Sequence, residues 1–461
     1  MNGDRPADAE HFMAWCEERG VHTVVVGTSD THGSWIGKRV AVRELPALLR
    51  GEGLAFSDVL FAITRDGNNV VEPPATCATY FPRKDNGYPD IFLRPDPSTA
   101  RLLPWHDGTA AVNGEFVLPD HTPVPIAPRN VLVAQVKRAR ALGLQVRIGF
   151  EFEFYLLRGS LAELADGGYE LRPLSARPYT YMVFRSSVDA PLLRRIRDGL
   201  EGAGIAIEGL NPETGPGQYE INTRFSEALR AGDDAFLYKN AIKELAAAEG
   251  LVATFMAKPR TDWAGSSCHL HQSLWRLDDG AALMWSQDGP LSRAGRQYVA
   301  GLLATMADFA ALFAPTVNAY KRLVPYSWAA TTASWGLDNR STGLRVVGDG
   351  PRTRRVEHRL GGADVNPYLA IAACLAGGLH GMENGLEPGE PYGGDAYADD
   401  GLPRLPATFA EALDRLEASD LARNAFGDAF VEHFVAMKRW EVEQYRGQVS
   451  DWEVRHYVET A

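Results

Sequence analysis

Residues 147–156 read RIGFEFEFYL, in which aromatic and acidic side chains alternate strictly. Because successive side chains of a β-strand point to opposite faces, the three phenylalanines share one face, and Glu151 and Glu153 share the other. Two acids on an isolated strand ordinarily lie on a face that is exposed to solvent and has no further function. The segment therefore predicts a strand with one apolar face and with two carboxylates roughly 7 Å apart on the other.

The same two-residue spacing recurs in three further segments, with residue types that bind metals or phosphates. On one face of each predicted strand lie, in turn, Gln218, Glu220 and Asn222; His269, His271 and Ser273; and Arg355, Glu357 and Arg359. Glu213 precedes the first of these segments across a Gly-Pro-Gly loop. If the strands are neighbours, one concave surface holds five glutamates, two histidines and several arginines. Because so many buried acids would repel one another, we expect divalent cations between them.

The residue types of this surface indicate which chemistry it supports. Carboxylate oxygens with a single imidazole favour Mg²⁺ or Mn²⁺ over zinc. Arginines beside such metals indicate phosphate, and hence nucleotide chemistry. The His-x-His pair alone is a weak zinc-like signal, and Cys268 beside it is typical of a small core residue. The sequence has neither a G-x-x-x-x-G-K-[ST] loop nor a Rossmann fingerprint, which argues against a P-loop or dinucleotide-binding fold.

Composition restricts the class of protein further. The 461 residues carry a formal charge of −12 and are 45% apolar, which is typical of a globular protein of two or three domains and argues against nucleic-acid or membrane partners. The first ten residues lack a secretory signal, and the apolar stretch 368–378 is too short to span a bilayer and predicts a buried helix. We expect a cytoplasmic protein with reduced cysteines, because no C-x-x-C pair occurs among Cys16, Cys77, Cys268 and Cys374.

Periodicity predicts an α+β fold in two domains, 1–125 and 126–461. The boundary lies near the end of a segment, between Pro82 and Pro128, that is rich in Pro, Asp and Gly. In the first domain a helix over 12–19 precedes a strand, turn and strand over 21–42. In the second domain we predict antiparallel strands with flanking helices, the helices lying after Pro128 as far as Gly143 and over 236–249, 297–313, 409–417 and 430–445.

These motifs, taken in order, resemble the bacterial-type glutamine synthetases and the related γ-glutamyl-amine ligases over nearly the whole chain. The resemblance rests on the segments FEFEF at 150–154, NPETGPGQYE at 211–220, ATFMAKP at 253–259, GSSCHLH at 265–271, NAYKRLVP at 318–325, NRS at 339–341 and NPY at 366–368. It implies a small N-terminal β-grasp-like domain, followed by a catalytic domain whose antiparallel sheet forms a funnel for ATP, glutamate and two or three Mg²⁺ or Mn²⁺ ions.

Position by position, the resemblance also implies roles for individual residues. The ligands of one metal ion would be Glu153, Glu213 and Glu220, and those of a second Glu151, His269 and Glu357. The nucleotide would contact Glu208, His271, Ser273, Arg340 and Arg355, with Arg340 at the transferring phosphate. Glutamate would lie among Gly265, His269, Arg322, Arg345 and Arg359, and Arg340 and Arg345 would offset charge during phosphoryl transfer. The implied reaction is phosphorylation of the γ-carboxylate by ATP, followed by attack of an amine on the acyl phosphate.

Two departures from the family pattern concern the amine. Trp328 stands where the family has a flap glutamate, and an indole cannot act as a base. Ser57 stands at the ammonium-binding aspartate, with Asp58 one residue further as the candidate for amine deprotonation. A cation site without these two acids would bind ammonium poorly. We therefore expect a glutamate ligase for a small organic amine, with ethanolamine favoured because Trp328 could pack on its carbons and Ser57 could meet its hydroxyl.

Other functions remain open at this point: a γ-glutamylpolyamine synthetase, a true glutamine synthetase, a catalytically silent family scaffold and a guanidino-kinase-like phosphotransferase. The resemblance implies a homododecamer of two stacked hexameric rings, in which the N-terminal domain of a neighbour completes each site. Tyr397 lies where some family members are adenylylated, but its surroundings lack the usual Asn-Leu-Tyr-Asp-Leu-Pro context. We expect no such control.

Overall fold

A computed structural model describes residues 5–68 and 80–461, so Cys77 and the first four residues lie outside the described part of the chain. The N-terminal part contains α1 (Ala9–Glu18), β1 (Thr23–Ser29), β2 (Trp35–Ala41), α2 (Leu45–Arg50), β3 (Leu54–Ser57), β4 (Asp90–Pro95), β5 (Arg101–Leu102) and β6 (Thr109–Val117). Its six strands form one sheet in the order β2-β1-β6-β4-β3, with β5 also on β6. Among the described strands of this sheet, only β1 and β6 pair in parallel.

The rest of the chain continues with α3 (Pro128–Ala141), β7 (Leu144–Arg158), α4 (Leu161–Asp166), α5 (Val183–Val188), α6 (Ala190–Gly202), β8 (Ile207–Pro212), β9 (Gln218–Thr223), β10 (Ser226–Glu227), α7 (Ala228–Ala247), β11 (Leu251–Thr254) and β12 (Cys268–Arg276). It ends with α8 (Arg293–Thr305), α9 (Ala310–Phe313), β13 (Trp335–Leu337), β14 (Leu344–Val347), β15 (Arg355–His358), α10 (Pro367–Glu383), α11 (Phe409–Ala418), α12 (Asp420–Phe426), α13 (Asp428–Arg446) and α14 (Asp451–Tyr457).

A nine-stranded sheet organises this larger part. Its order is β13-β14-β15-β12-β7-β9-β8, and β10 and β11 also pair with β7. All pairs are antiparallel except β13 with β14. The predicted α+β class, with a mainly antiparallel sheet and flanking helices, is confirmed.

The apolar face of β7 fixes the register of this sheet. Phe150, Phe152 and Phe154 are almost completely buried, and the ring of Phe152 stacks on Tyr238 of α7 at 5.3 Å between centroids. Burial of each phenylalanine stabilises the fold by roughly 2–3 kcal/mol. A slip of one residue would turn Glu151 and its acidic neighbours into the core, so the opposite face must carry the carboxylates.

Two helices differ from the prediction. The helix predicted over 236–249 begins eight residues earlier, at Ala228, because Asp233 and Asp234 are buried ion-pair partners rather than loop residues. The prediction of one helix over 297–313 is wrong: α8 ends at Thr305 and α9 begins at Ala310. The hydrogen bonding tightens at Met306, whose N–H donates to Leu303, and Asp308 turns away to accept from Ser419.

The predicted buried helix over 368–378 lies within α10, whose residues are nearly all buried. Among the described residues, none of the helices combines the length and the hydropathy needed to cross a membrane.

Candidate active site

Four adjacent strands bring the predicted polar residues onto one surface. β12 lies between β7 and β15, and β9 lies on the other side of β7. His269 is directly opposite Glu151 on β7, and Glu153 is directly opposite Glu220 on β9. Glu357 on β15 is paired in turn with a β12 residue. The acidic face predicted from β7 is therefore continued by its neighbours.

Glu151, His269 and Glu357 form the most compact group on this surface. Their ligand atoms lie within 4.8 Å of one another. His269 Nδ1 is 3.4 Å from an oxygen of each glutamate, and His269 Nε2 is buried with no hydrogen-bond partner among the described residues. An imidazole nitrogen, Nδ1, that faces two carboxylates in a compact group of three ligand residues fits a divalent cation bound by the three side chains.

Neighbouring hydrogen-bond donors and charged groups hold both of these glutamates ionised. Burial acts to raise the pKa of Glu151, but hydrogen bonds from His269 and His271 hold that pKa well below its usual range. Burial likewise opposes ionisation of Glu357, but Arg359, and after it the two histidines, lower its pKa to about 2. Both carboxylates are therefore charged at neutral pH, the state that a metal ligand requires.

A second carboxylate group lies beside the first, with the opposite electrostatics. Glu153 accepts hydrogen bonds from Ser267 N at 2.8 Å and from Gln218 Nε2 at 3.2 Å. Burial, and then repulsion from Glu153, raise the pKa of Glu213 to about 7. Burial, and then repulsion from the neighbouring glutamates, raise the pKa of Glu220 to about 9. Among the described residues, neither Glu213 nor Glu220 forms an ion pair with a cationic side chain, so an all-oxygen site for Mg²⁺ or Mn²⁺ fits this group.

Metal binding should therefore release protons from this second group. Below pH 9 Glu220 keeps its proton in the metal-free protein, whereas a metal ligand must be ionised. Adding Mg²⁺ at pH 7.5 is expected to release about one proton per chain, and apparent Mg²⁺ affinity should rise between pH 7 and pH 9. Calorimetry in two buffers of different ionisation enthalpy measures the release. Glu220→Gln should abolish most of it; the same proton count in both proteins would contradict the assignment.

A cavity of about 430 Å³ lies beside Glu151. Four of the five residues predicted to contact the nucleotide line it, namely Glu208, His271, Ser273 and Arg355. Glu208 is exposed at an irregularity in the pairing of β8 with β9. His271 Nδ1 accepts from Arg355 Nε at 3.1 Å, and His271 Nε2 lies 2.8 Å from Glu151. His271 thus connects the cavity to the compact carboxylate group.

Sequence reasoning missed an aromatic and cationic wall of this cavity. Phe225 and Arg147 line the cavity. Both contact Trp275 beside them: 6.3 Å separates the ring centroids of Phe225 and Trp275, and the Arg147 guanidinium lies 4.0 Å from the centroid of Trp275. Flat rings and guanidinium groups suit a nucleobase and phosphates. The two-residue spacing could have found two of them: Arg147 continues the face of Glu151, and Trp275 continues the face of His271 and Ser273.

Arg322 and Arg359 lie at the edge of the carboxylate surface, and both are buried. Arg322 donates to Leu360 O and to Gly361 O, the latter at 2.8 Å. Arg359 donates to Glu357, and Arg345 Nη1 donates to the other oxygen of Glu357 at 2.8 Å. Within the described ranges, Nε of Arg322 and Nε of Arg359 have no hydrogen-bond partner. Buried donors without acceptors fit a carboxylate ligand such as the one predicted here.

Gly265 packs so closely on Arg322 that no other residue fits. A Cβ built on Gly265 would lie 2.3 Å from Cγ of Arg322. Gly265→Ala is expected to displace the guanidinium and to raise the KM for glutamate by about tenfold or more, because small misplacements of binding groups are costly. Steady-state kinetics measure this change, and Gly289→Ala, whose Cβ meets nothing within 4 Å, is the matched control. An unchanged KM in Gly265→Ala would mean that Arg322 does not bind this substrate.

The flap, residues 326–330, borders these arginines. Trp328 is 62% exposed, and its backbone oxygen accepts a hydrogen bond from Arg359 Nη2 at 3.1 Å. Arg340 is exposed on the loop between Asn339 and Ser341. The structure therefore brings the backbone of Trp328 next to Arg359, one of the residues predicted to bind the substrate glutamate. Arg340 extends from a neighbouring loop.

Ser57 and Asp58 lie apart from this surface, in the N-terminal part. Ser57 is exposed at the end of β3. Asp58 is buried, and its Oδ2 accepts from the N–H of Arg83 at 2.9 Å and from Arg83 Nε at 3.1 Å. Among the described residues, no hydrogen bond or ion pair joins either side chain to the carboxylate surface of the same chain. Their contribution to a neighbouring subunit's site stays a prediction.

A separate cavity of about 840 Å³ lies between the β1–β2 turn, α7 and β11. None of the predicted site residues lines it. The chemistry indicated by the sequence is therefore confined to the carboxylate surface and the smaller nucleotide-sized cavity beside it.

The two carboxylate groups, the buried arginines and the adjoining cavity are suited to binding divalent cations, a carboxylate and a nucleotide. The family model described as glutamine synthetase, catalytic domain, matches residues 125–457. The chain belongs to the glutamine synthetase family, whose members use ATP and divalent metal ions, and it is a carbon–nitrogen ligase.

Similar proteins extend over nearly the full chain. A glutamate–isopropylamine ligase from a Pseudomonas species is 39% identical, with 96% of each chain covered. A gamma-glutamylethanolamide synthetase from Streptomyces coelicolor is 40% identical, with 98% of this chain and 96% of that protein covered. Among solved structures, the GmaS–ADP complex has a TM-score of 0.84 at 26% identity, covering 97% of this chain and 99% of the other. These relatives confirm the resemblance to the γ-glutamyl-amine ligases.

Proposed function

We propose that the protein joins the γ-carboxylate of glutamate to a small organic monoamine at the expense of ATP, through a γ-glutamyl phosphate. Ethanolamine or a similar monoamine is the favoured acceptor. The observation that carries this proposal is the position of Trp328: its backbone oxygen accepts a hydrogen bond from Arg359, so the residue lies beside a predicted substrate arginine, where the resemblance implies a flap glutamate in glutamine synthetases. An aromatic group there favours an acceptor with carbon atoms over ammonium.

The proposed reaction assigns separate tasks to the side chains. Arg322 and Arg359 would bind the substrate carboxylates through donors that have no other described partner. Arg345, held by Glu357, and Arg340, on its exposed loop, would neutralise charge on the transferring phosphoryl group. Cations held by Glu151, His269 and Glu357, and by Glu153, Glu213 and Glu220, would reduce the repulsion between the phosphate and the carboxylate. With these tasks the carboxylate is activated first, and the amide forms in the second step.

The names of the relatives support an organic acceptor. One acts on isopropylamine and another forms an ethanolamide, and each covers nearly all of this chain at about 40% identity. Both amines are small and singly charged, with two carbons or three. A polyamine would ordinarily need further acids at the entrance, and the flap offers none between Tyr326 and Ala330. The side-chain chemistry of the flap therefore favours a monoamine.

A panel of acceptors tests the proposal. With ATP, Mg²⁺ and glutamate, phosphate release and product mass are measured with ammonium, ethanolamine, isopropylamine, putrescine, spermidine and aniline. We expect kcat/KM for one small monoamine to exceed that for ammonium by at least about tenfold, since an apolar contact alone gives discrimination of this order. Trp328→Glu should reduce that ratio by restoring an acid, whereas Trp452→Glu, an exposed tryptophan on α14, should not change it.

Other outcomes would replace the proposal. Ammonium as the best acceptor would indicate a true glutamine synthetase, and spermidine or putrescine would indicate a polyamine ligase. Nucleotide binding without turnover of any acceptor would indicate a silent scaffold, and phosphate attached to the acceptor would indicate a phosphotransferase.

A further inference from the structure

Tyr397 contacts the flap from beneath, although nothing in its sequence context indicated a role. Its ring lies 5.2 Å from the ring of Tyr326, measured between centroids, at an interplanar angle of 50°. Tyr326 is exposed, whereas Tyr397 is only 8% exposed. The buried ring therefore supports an exposed flap residue that lies two positions before Trp328.

The segment that carries Tyr397 is fastened to the loop of Arg340. Asn339 Nδ2 donates to Gly394 O at 2.9 Å, and Ser341 Oγ accepts from Ala396 N at 2.9 Å. The residues on both sides of Arg340 are thus bonded to the chain just before Tyr397. This segment therefore links the loop that carries Arg340 to the flap residue Tyr326.

The same segment also fastens the far end of the flap. Ala333 N donates to Pro403 O at 2.8 Å, and Leu405 N donates to Thr331 O at 3.0 Å. Residues 394–405 therefore brace the region around the flap at three places: the Arg340 loop, the Tyr326 ring and the strand-like stretch after Ala330.

The flap needs such support because its backbone is strained. Tyr326 and Trp328 have φ angles of 62° and 63°, a left-handed conformation that bulky residues rarely adopt. Several contacts oppose relaxation: the ring contact with Tyr397, the hydrogen bond from Arg359 to the backbone oxygen of Trp328, and the hydrogen bond that Ser327 Oγ donates to Arg322 O at 2.8 Å. Removing one of them should let the flap leave the arginines.

The hydroxyl of Tyr397 contributes no hydrogen bond of its own. It is buried and has no partner within the described part of the chain. Burial raises the pKa of Tyr397, while the positive charges of Arg359 and Arg322 act to lower it. The contribution of Tyr397 therefore comes from its ring rather than from its hydroxyl.

We propose that Tyr397 is a positioning residue for the amine: its ring contact with Tyr326 holds Trp328 against Arg359 and so sets the affinity for the acceptor. This inference rests on the proposed function, because it takes Trp328 as a wall of the acceptor site. It predicts separate effects on the two substrates, since the glutamate donors Arg322 and Arg359 are themselves anchored elsewhere.

A double-mutant cycle with two readouts tests this role. Tyr326→Ala, Tyr397→Ala and the double variant are each expected to raise the KM for isopropylamine and ethanolamine about tenfold, with the KM for glutamate within about twofold of wild type. The double variant should be no worse than either single variant, because both remove one contact. Tyr397→Phe should behave as wild type, and Tyr392→Ala, which removes a tyrosine ring two positions before residues 394–405, is the control.

Hydrogen–deuterium exchange of the peptide containing residues 326–330 gives the second readout, which needs no turnover. Exchange should increase in Tyr326→Ala and Tyr397→Ala but not in Tyr397→Phe or Tyr392→Ala. Because Tyr326 is exposed, its replacement keeps the test valid if Tyr397→Ala does not fold. Unchanged flap exchange, additive effects on the amine KM or an equal rise in the glutamate KM would overturn the proposal. If neither amine reacts, the proposed function fails, and the exchange result alone decides on the positioning of the flap.

Discussion

Replacing Glu357 by glutamine is expected to lower kcat by about a thousandfold, the scale on which preorganised electrostatic groups act in catalysis. Glu357 is fully buried and interacts with more of the site than any other carboxylate described above: its oxygens accept from Arg345 and Arg359, and one lies 3.4 Å from His269 Nδ1. Glutamine preserves the shape of the side chain but removes its charge. Two guanidinium groups would then lose their counter-ion, and the compact metal-binding group would lose one ligand.

Steady-state kinetics with ATP, Mg²⁺, glutamate and the best acceptor measure this loss, and Mg²⁺ titration measures the weakened binding. Glu390→Gln, at an exposed position, is the matched control. Far-UV circular dichroism establishes that the variant is folded. A folded Glu357→Gln enzyme with near-native kcat would show that the carboxylate surface is not where the reaction occurs.

Arg129→Met is expected to destabilise the protein by about 3–5 kcal/mol, because it leaves the buried carboxylate of Asp233 without its cation. Arg129 at the start of α3 is 1% exposed and pairs at 3.0 Å with Asp96, Glu115 and Asp233. Asp233 also accepts from Tyr368 at 2.6 Å. The arginine thus joins two acids of the N-terminal part to α7, which packs behind β7.

Urea denaturation followed by tryptophan fluorescence measures this change as a lower midpoint. The control is Arg172→Met, which removes a largely exposed ion pair with Glu170 and should change stability by less than about 1 kcal/mol. Equal midpoints for Arg129→Met and wild type would mean that this buried network does not hold the two parts of the chain together.

The strand faces could be predicted because their period of two residues is a local property of the chain. Alternation alone placed Glu151 and Glu153 on one face, and the structure then brings His269 and Glu220 directly opposite them. The pairing of these strands could not be predicted in the same way, since no single segment contains information on which strand it pairs with.

Residues whose role depends on distant partners could not be predicted. Asp233 in α7 lies outside the helix predicted over 236–249, because its burial depends on Arg129, more than a hundred positions earlier in the chain. Tyr397 has no local pattern that would reveal its contact with Tyr326. Ser57 depends on a neighbouring subunit if the expected dodecamer forms, so no property of one chain determines its contacts.

Transfer of ¹⁸O from labelled glutamate to phosphate tests the central claim, that this site activates the γ-carboxylate of glutamate with ATP. The enzyme is incubated with ATP, Mg²⁺, ethanolamine or isopropylamine, and glutamate carrying ¹⁸O in its γ-carboxylate, and the released phosphate is analysed by mass spectrometry. If the carboxylate attacks the γ-phosphorus and the amine then displaces phosphate from the acyl carbon, each phosphate acquires one labelled oxygen and each product is an amide. Unlabelled phosphate, released by water at the same rate with or without the amine, would contradict the claim.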